Sequence, residues 1–195
     1  MRIVLFLVVV LGGCTVPLST APEAGPRPSD RRAPALDRLG AEVHVETNHA
    51  RSRASRRTLA WDRDLAAVAR AHSRDMARRG YFDHVSPDGR DPQDRARRGG
   101  VTCRIASGRR RVRTGIAENL YMTTRYASAW ERRLARGREV RYDWMTADEI
   151  AERTVQSWLE SRGHRRNLLD RDARAHGIGV AVGRDHRVYV TQVLC

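Results

Sequence analysis

Two stretches of the chain place apolar residues at helical spacing between recognisable helix ends. The first runs from Asp62, a predicted N-cap, to Gly80, a glycine typical of a helix C-terminus. The second runs from Thr146 to Ser161, where Thr146 and Glu149 have the spacing of a capping box, and Gly163 is predicted to end it. The predicted buried residues are Leu65, Val68, Ala69, His72, Met76, Ile150, Val155, Trp158 and Leu159. On such an apolar face, His72 is expected to be a core histidine with a local hydrogen bond rather than a ligand.

The pattern changes period near the end of the chain. Residues 177–182 and 187–193 are rich in β-branched and aromatic side chains, and 183–186 between them is predicted to be a hairpin loop. Helices that come first and strands that come last indicate an α+β fold with an antiparallel sheet.

The remaining segments carry weaker patterns. Residues 36–53 have mixed helical character, and 91–98 is predicted to be a short helix with proline at its first position. Residues 101–115 are interpreted as a polar, arginine-rich loop. Residues 123–142 are interpreted as a charged segment with helical stretches.

The first residues have the three parts of a bacterial export signal. Arg2 precedes an apolar run from Ile3 to Leu11, and Gly12 and Gly13 stand before Cys14. The run is shorter than the roughly 20 residues needed to span a bilayer. The sequence Leu-Gly-Gly-Cys resembles the lipobox of bacterial lipoproteins, which implies removal of residues 1–13 and a lipid on Cys14. The alternative is an ordinary signal peptide that contains a cysteine.

A proline-rich stretch follows the predicted lipidation site. Residues 14–34 carry five prolines among small and polar residues, which favours a flexible tether. The folded domain is therefore expected at 35–195, a length suited to one core. The expected location is the bacterial cell envelope, at the outer face of a membrane.

The charge of the chain is strongly positive. Thirty-seven basic residues, all arginine, oppose 23 acidic ones, and the formal net charge is +14. Such a protein is attracted to anionic lipids or cell-wall polymers, although a GC-rich genome would also enrich arginine. Nucleic acid is not an expected partner, because the chain is predicted to be exported and its arginines are mixed with acids. The densest run, at 109–111, is interpreted as a solvated loop.

The cysteine count allows one disulfide. If Cys14 is lipidated, Cys103 and Cys195 remain as a pair, and an oxidising compartment favours a bond between them. Two free thiols are the alternative.

A series of short motifs runs in order through the domain from Asn48 to Val193. The motifs are Asn48-His49-Ala50-Arg51, Leu59-Ala60-Trp61-Asp62, Leu65-Ala66 with Ala69 and His72, Phe82-Asp83-His84, Asp88-Gly89, Arg95, Glu118-Asn119-Leu120, Trp158 with Ser161, Gly163-His164-Arg165, Asn167, Gly177-Ile178-Gly179-Val180 and Thr191-Gln192-Val193. No single motif is specific, but the ordered series resembles the CAP superfamily of cysteine-rich secretory, antigen 5 and pathogenesis-related proteins, and its bacterial branch above all. The resemblance implies an α-β-α sandwich whose central antiparallel sheet is flanked by helices, with a groove above the sheet.

In that family, two histidines and one or two glutamates line the groove. The resemblance assigns these roles to His84 and Glu118, to His164 in its Gly-His-Arg motif, and to Glu160 as a second acid. Such a set permits a divalent metal such as zinc, with His84 and His164 as ligands, or acid–base catalysis on a bound water. The alternative is that His84 and Glu118 form a buried hydrogen-bonded pair that holds loops over the sheet.

The chain departs from the family pattern at two places. Ala117 replaces the usual glycine before the glutamate. The segment 123–145 is longer than expected, and it is predicted either to cover the groove or to offer a surface to a partner.

These observations favour a binding module of the envelope over an enzyme, because no serine or cysteine stands in a recognisable catalytic motif. Its ligand would be a lipid, a cell-wall component or a protein, with or without a divalent metal. The rival hypothesis is a metal-assisted hydrolase that acts on peptide or cell-wall material, with His84, Glu118 and His164 as its candidate catalytic residues. A third hypothesis is a purely structural protein whose 123–145 segment blocks the groove.

Overall fold

The computed structural model of the chain describes residues 36, 38–107 and 111–195, which form five helices and eight strands. The helices are α1 (Leu39–Arg53), α2 (Arg63–Arg79), α3 (Pro92–Arg98), α4 (Ala147–Glu160) and α5 (Arg162–Leu168). The strands are β1 (Ala60–Trp61), β2 (Arg104–Ser107), β3 (Arg111–Thr114), β4 (Ala117–Thr124), β5 (Tyr126–Arg133), β6 (Arg138–Trp144), β7 (Ala175–Val182) and β8 (Arg187–Leu194). The predicted signal peptide, Cys14, the predicted tether and residues 109–110 lie outside the described residues. None of the described helices is long and apolar enough to cross a bilayer.

The central sheet has the strand order β1-β7-β8-β4. The strands β7 and β8 form the predicted hairpin, with Val180 opposite Val190, and β4 pairs antiparallel to β8 with Glu118 opposite Val193. The two-residue strand β1 pairs parallel to β7, so the sheet is mixed rather than wholly antiparallel. The predicted α+β class is confirmed.

Helices pack on both faces of this sheet. On one face α2 lies so close to β7 that a Cβ built on Gly177 would stand 1.9 Å from the backbone nitrogen of Ala66, so only glycine fits there. On the other face α1 and α4 bury Leu39, Ile150 and Trp158 against the sheet. This arrangement is the α-β-α sandwich expected from the sequence.

The helix ends were largely predictable. The Asp62 side chain accepts hydrogen bonds from two backbone N–H groups of the first turn of α2, and Gly80 ends the helix in the left-handed conformation. Thr146 and Glu149 form the predicted capping box of α4. The prediction that Gly163 ends α4 was wrong, because α4 ends at Glu160 and Gly163 lies inside α5.

Two segments that were not predicted as strands form hairpins. The polar loop proposed for 101–115 contains the antiparallel pair β2 and β3. The helical stretches proposed for 123–142 are wrong, since β5 and β6 pair along their length with Tyr126 opposite Trp144. Cross-strand aromatic contacts and a turn at Gly137, whose φ is 96°, favour the hairpin over a helix. We call residues 126–144 the arm.

The two ends of the sheet differ. A disulfide between Cys103 and Cys195, with a Cα–Cα distance of 5.5 Å, ties the last residue to the start of β2 and confirms the predicted pair. Glu118 lies near this end, which we call the disulfide end. The arm leaves the opposite end, which we call the arm end, where Thr124 of β4 pairs with Arg187.

Candidate functional site

The carboxylate of Glu118 is the centre of the candidate site. Glu118 is the second residue of β4, and its side chain is only 2 % exposed. It projects toward the face of the sheet that α2 covers. A buried carboxylate needs a charged partner and several hydrogen bonds to remain ionised.

Arg95 supplies that partner. It belongs to α3, which Pro92 and the Asp91–Asp94 capping box start at a defined place. Its Nη2 donates to Oε1 of Glu118 at 2.9 Å and to Oε2 at 2.8 Å. The same nitrogen donates to the backbone oxygen of His84 at 2.9 Å. Both carboxylate oxygens are therefore bound to the guanidinium, and the loop that carries His84 is tied to α3.

His84 completes the contacts of the carboxylate. Its Nδ1 lies 2.9 Å from Oε1 of Glu118. Because a carboxylate oxygen accepts, the Nδ1–H group of His84 is the donor of this hydrogen bond. The His84 side chain is 45 % exposed, in contrast to Glu118. His84 and Glu118 thus form the hydrogen-bonded pair of the alternative interpretation, in the geometry of a carboxylate that orients an imidazole.

The predicted core histidine lies behind this pair. His72 is buried, and its Nε2 donates to the backbone oxygen of Asp83 at 3.1 Å. The same nitrogen lies 3.9 Å from Oε1 of Glu118, beyond hydrogen-bonding distance. Burial lowers the pKa of His72, which outweighs the opposite effect of Glu118. His72 is therefore a neutral structural residue, as predicted.

His164 faces His84 from α5. The centroids of the two rings are 6.2 Å apart. Burial lowers the pKa of His164, and the neighbouring His84 lowers it further, so its ring is neutral at pH 7. Asn119 and Asn167 hold α5 in place, because Asn119 donates to the backbone oxygen of His164 and Asn167 donates to that of Glu118.

Glu160 is not brought to this site. It ends α4, accepts a hydrogen bond from Gln156, and lines a separate groove with Glu46 and Arg153. Its predicted role as a second acid beside His84 has no geometric support.

The donor set does not fit a metal centre with three protein ligands. Within residues 36, 38–107 and 111–195, no group of three or more His, Cys, Asp or Glu side chains converges on a common point. His84 and His164 are two imidazoles, and the nearest carboxylate, Glu118, is already paired with Arg95. A zinc ion held by two histidines and this glutamate would have to displace that arginine.

A row of buried, hydrogen-bonded polar side chains that was not predicted from the sequence runs across β4, β8 and β7. Asn119 Nδ2 donates to Gln192 Oε1 at 2.9 Å, and Gln192 Nε2 donates to His176 Nδ1 at 2.8 Å. His176 Nε2 therefore carries the proton and donates to His44 Nδ1 at 2.7 Å. His176 and Gln192 occupy positions that apolar residues take elsewhere on the same face of β7 and β8. A polar residue in an apolar stripe was the available indication.

The hydrogen-bonded row of side chains ends, at His44, beside a second groove. His44 packs edge-on against Trp61, with ring centroids 5.6 Å apart, beside a groove of about 770 Å³. Burial lowers the pKa of His176 to about 3 and lowers that of His44 as well. Both rings are neutral at pH 7, so these hydrogen bonds link neighbouring strands of the sheet without a buried charge.

Comparison with known proteins relates the domain to one protein family and to a bacterial protein. The profile of the Cysteine-rich secretory protein family (CAP) matches residues 45–194. The uncharacterized protein YkwD of Bacillus subtilis is 29% identical over 133 residues, which are 68% of this chain but 38% of that protein. The chain thus spans well under half the length of this relative.

Two solved structures are similar to the domain. An extracellular protein containing an SCP domain from Bacillus anthracis is 28% identical, with a TM-score of 0.52 over 80% of this chain and 40% of that one. An outer surface protein from Borrelia burgdorferi has a TM-score of 0.58 at 14% identity, over 82% of this chain and 93% of that one. The second likeness concerns the fold alone.

Proposed function

Because the chain belongs to the cysteine-rich secretory protein (CAP) family, we propose that it is an exported binding module of the bacterial cell envelope, held at a membrane by a lipid on Cys14. The Leu-Gly-Gly-Cys motif at 11–14 and the proline-rich stretch after it support export and anchoring. A relative described as extracellular, 28% identical, supports the same location.

The hydrogen bonds of the Glu118 carboxylate favour a binding function over a catalytic one. Both of its oxygens accept hydrogen bonds from Arg95, and one also accepts from His84. A general base must have an oxygen or nitrogen free to take a proton from water or substrate. Here three hydrogen bonds from Arg95 and His84 fill most of the acceptor sites of the carboxylate and join α3 to the loop that carries His84, so Glu118 organises the site.

The groups that remain available suit recognition. The His84 side chain is 45% exposed, the half-buried His164 faces it, and Phe82 and Val85, close to His84 in sequence, are 43% and 46% exposed. Such a surface fits a ligand that carries amide or hydroxyl groups next to apolar ones. Cell-wall peptidoglycan has this chemistry and lies within reach of an anchored envelope protein, so it is the ligand of the proposal.

Co-sedimentation with purified peptidoglycan sacculi tests this function. We expect the wild-type chain to sediment with the sacculi and to release no soluble fragments from them. His84→Ala should lose most of the binding, because the exposed imidazole is removed while Arg95 still neutralises Glu118. The matched control is His49→Ala, an exposed histidine on α1 that is paired only with Glu46.

Three outcomes would overturn the proposal. Release of fragments that depends on His84 would favour the hydrolase hypothesis. Equal binding by the two variants would mean that His84 does not take part in binding peptidoglycan. Absence of wild-type binding would exclude peptidoglycan and leave a lipid or protein ligand.

The anchor is tested separately. In the native host, Cys14→Ser should release the folded protein from the membrane fraction after a high-salt wash, while Thr15→Ser should leave it there. Retention of Cys14→Ser after that wash would mean that another part of the chain does the anchoring.

A further inference from the structure

The arm, residues 126–144, is a projecting surface that the candidate site does not use. Every residue from 127 to 138 is exposed, and β5 and β6 pair only with each other. The arm starts after Thr124, about 20 Å along β4 from Glu118 at the usual rise of a strand. Of the two predictions for this segment, a cover over the groove and a surface for a partner, this separation favours the second.

The root of the arm is a packed aromatic cluster. The ring of Trp144 lies 4.7 Å from that of Tyr142 and 5.2 Å from that of His186 in the β7–β8 loop. The guanidinium of Arg125 lies 5.7 Å from the Trp144 ring. These contacts join the arm to the sheet and give it a defined direction.

The tip of the arm concentrates positive charge. The seven residues from Arg132 to Arg138 include four arginines and no acid. Among the described residues, nothing forms an ion pair with Arg132, Arg133 or Arg136. Arg138 meets Glu131 at 3.5 Å, and both are exposed. Unpaired guanidinium groups on a projecting hairpin are suited to phosphate oxygens.

The arm also carries exposed apolar side chains. Trp130, Leu134 and Val140 are 40%, 46% and 48% exposed. A soluble polyanion would need only the arginines. Arginines interleaved with tryptophan and leucine match the interface of an anionic bilayer, where the charges meet headgroups and the apolar groups enter the acyl boundary.

Other residues at the arm end also support contact with an anionic bilayer. A groove of about 580 Å³ beside Arg187 is lined by five arginines. Arg78, Arg79 and Arg187 are ion-paired with aspartates, whereas Arg74 and Arg184 form no ion pair with a described residue. Leu36, the first described residue, lines a groove together with Arg125 and Val182. Leu36 therefore lies near Arg125, the residue that precedes the arm.

We infer that the arm binds the anionic lipid headgroups of the membrane to which the chain is anchored. Arg132, Arg133 and Arg136 contact phosphate groups, and Leu134 inserts among them. The inference on lipid binding stands on the arm alone. With the arm on the bilayer, the His84 site, near the opposite end of β4, points away from it.

Vesicle co-sedimentation tests the inference with the chain from residue 14 onward carrying Cys14→Ser, so that no acyl chain contributes. The vesicles contain equal parts of phosphatidylglycerol and phosphatidylcholine, or phosphatidylcholine alone, at about 0.1 M salt. The arm variant is Arg132→Gln with Arg133→Gln and Arg136→Gln. The matched variant removes the same charge at the disulfide end, at the exposed residues Arg57, Arg63 and Arg171. A second pair compares Leu134→Ser with Val112→Ser, which is also exposed but lies in β3.

We expect binding to the anionic vesicles alone, weakened about tenfold or more by the arm variant and less than about twofold by the matched one. Leu134→Ser should weaken it while Val112→Ser should not. Equal losses in the two arginine variants would mean that net charge, not the arm, is responsible. An arm effect without a Leu134 effect would mean a soluble polyanion, and equal binding to both vesicles would exclude headgroup recognition. Peptidoglycan binding through His84 is independent of all these results.

Discussion

Arginine performs opposite tasks at the two ends of β4. At the disulfide end, the Arg95 side chain is 11% exposed and its Nη2 is shared among three oxygen atoms. At the arm end, Arg132 and Arg133 are exposed and have no ion pair within the described part of the chain. The same side chain is a structural counter-ion where it is buried beside a carboxylate, and an available charge where it projects into solvent. A count of arginines cannot separate the two cases, but burial and partners do.

The largest effect on stability should come from removing the negative charge of Glu118 at the disulfide end. Glu118→Gln keeps the shape of the side chain but leaves the guanidinium of Arg95 buried without a negative partner. We expect the free energy of unfolding to fall by about 4 kcal/mol, as for other broken buried pairs. Urea denaturation followed by circular dichroism measures it.

Glu160→Gln is the matched control, because Glu160 is exposed and bonded only to Gln156. It should change the free energy of unfolding by less than about 0.5 kcal/mol. Similar results for the two variants would mean that the ion pair does not stabilise this end.

The disulfide should be the next largest contribution. Cys103 and Cys195 are 92 residues apart in sequence, and closing so long a loop restricts the unfolded chain. Replacing both with serine should lower the free energy of unfolding by about 3 kcal/mol. A reducing agent should lower the urea midpoint of the wild-type chain and leave that of the double variant unchanged. A midpoint insensitive to reduction in the wild type would argue against the bond.

Much of the fold could be predicted from local patterns. The capped helices α2 and α4 and the β7–β8 hairpin have periodicity and end residues that act within a few positions, so they were recognised. The arm was missed because its charged residues also suit a helix. Its strand character depends on pairing Tyr126 with Trp144, which only the folded chain brings together.

Some residues of the candidate site could likewise be recognised from the sequence and others could not. His84 and Glu118 stand in short motifs and were assigned from the family resemblance. The role of Arg95 was not, because α3 meets β4 only in three dimensions. The hydrogen-bonded row from Asn119 through Gln192 to His176 was also missed, since Asn119 and Gln192 are 73 residues apart in sequence.

The buried, neutral His176 in this row should make the stability of the protein depend on pH. Burial holds the pKa of His176 near 3, whereas in the unfolded chain it is about 6.5. Below pH 6.5 the unfolded state binds the proton and the folded state does not. Stability is therefore fully present above pH 6.5 and is lost as the pH falls toward 3. From pH 6.5 to 5 this residue should remove about 2 kcal/mol.

The measurement is the free energy of unfolding at several pH values. His176→Gln should flatten the decrease between pH 6.5 and 5, whatever its effect at pH 7. His49→Gln, at an exposed position on α1, should not change the slope. An unaltered slope in His176→Gln would mean that other groups dominate the acid sensitivity.

The smallest effect on global stability should come from the arm. Trp144→Ala removes ring contacts with Tyr142 and His186 and the cation–π contact with Arg125, but it opens no cavity in the main core. We expect the free energy of unfolding to fall by about 1 kcal/mol. Hydrogen exchange should become faster within the arm and stay unchanged in β7 and β8, because local opening follows local contacts. Trp130→Ala, at an exposed position of the same strand pair, should leave exchange in the arm unaltered. If Trp144→Ala also released protection in β7 and β8, the arm would be part of the cooperative core, and the contrast between the two ends of β4 would be one of exposure only.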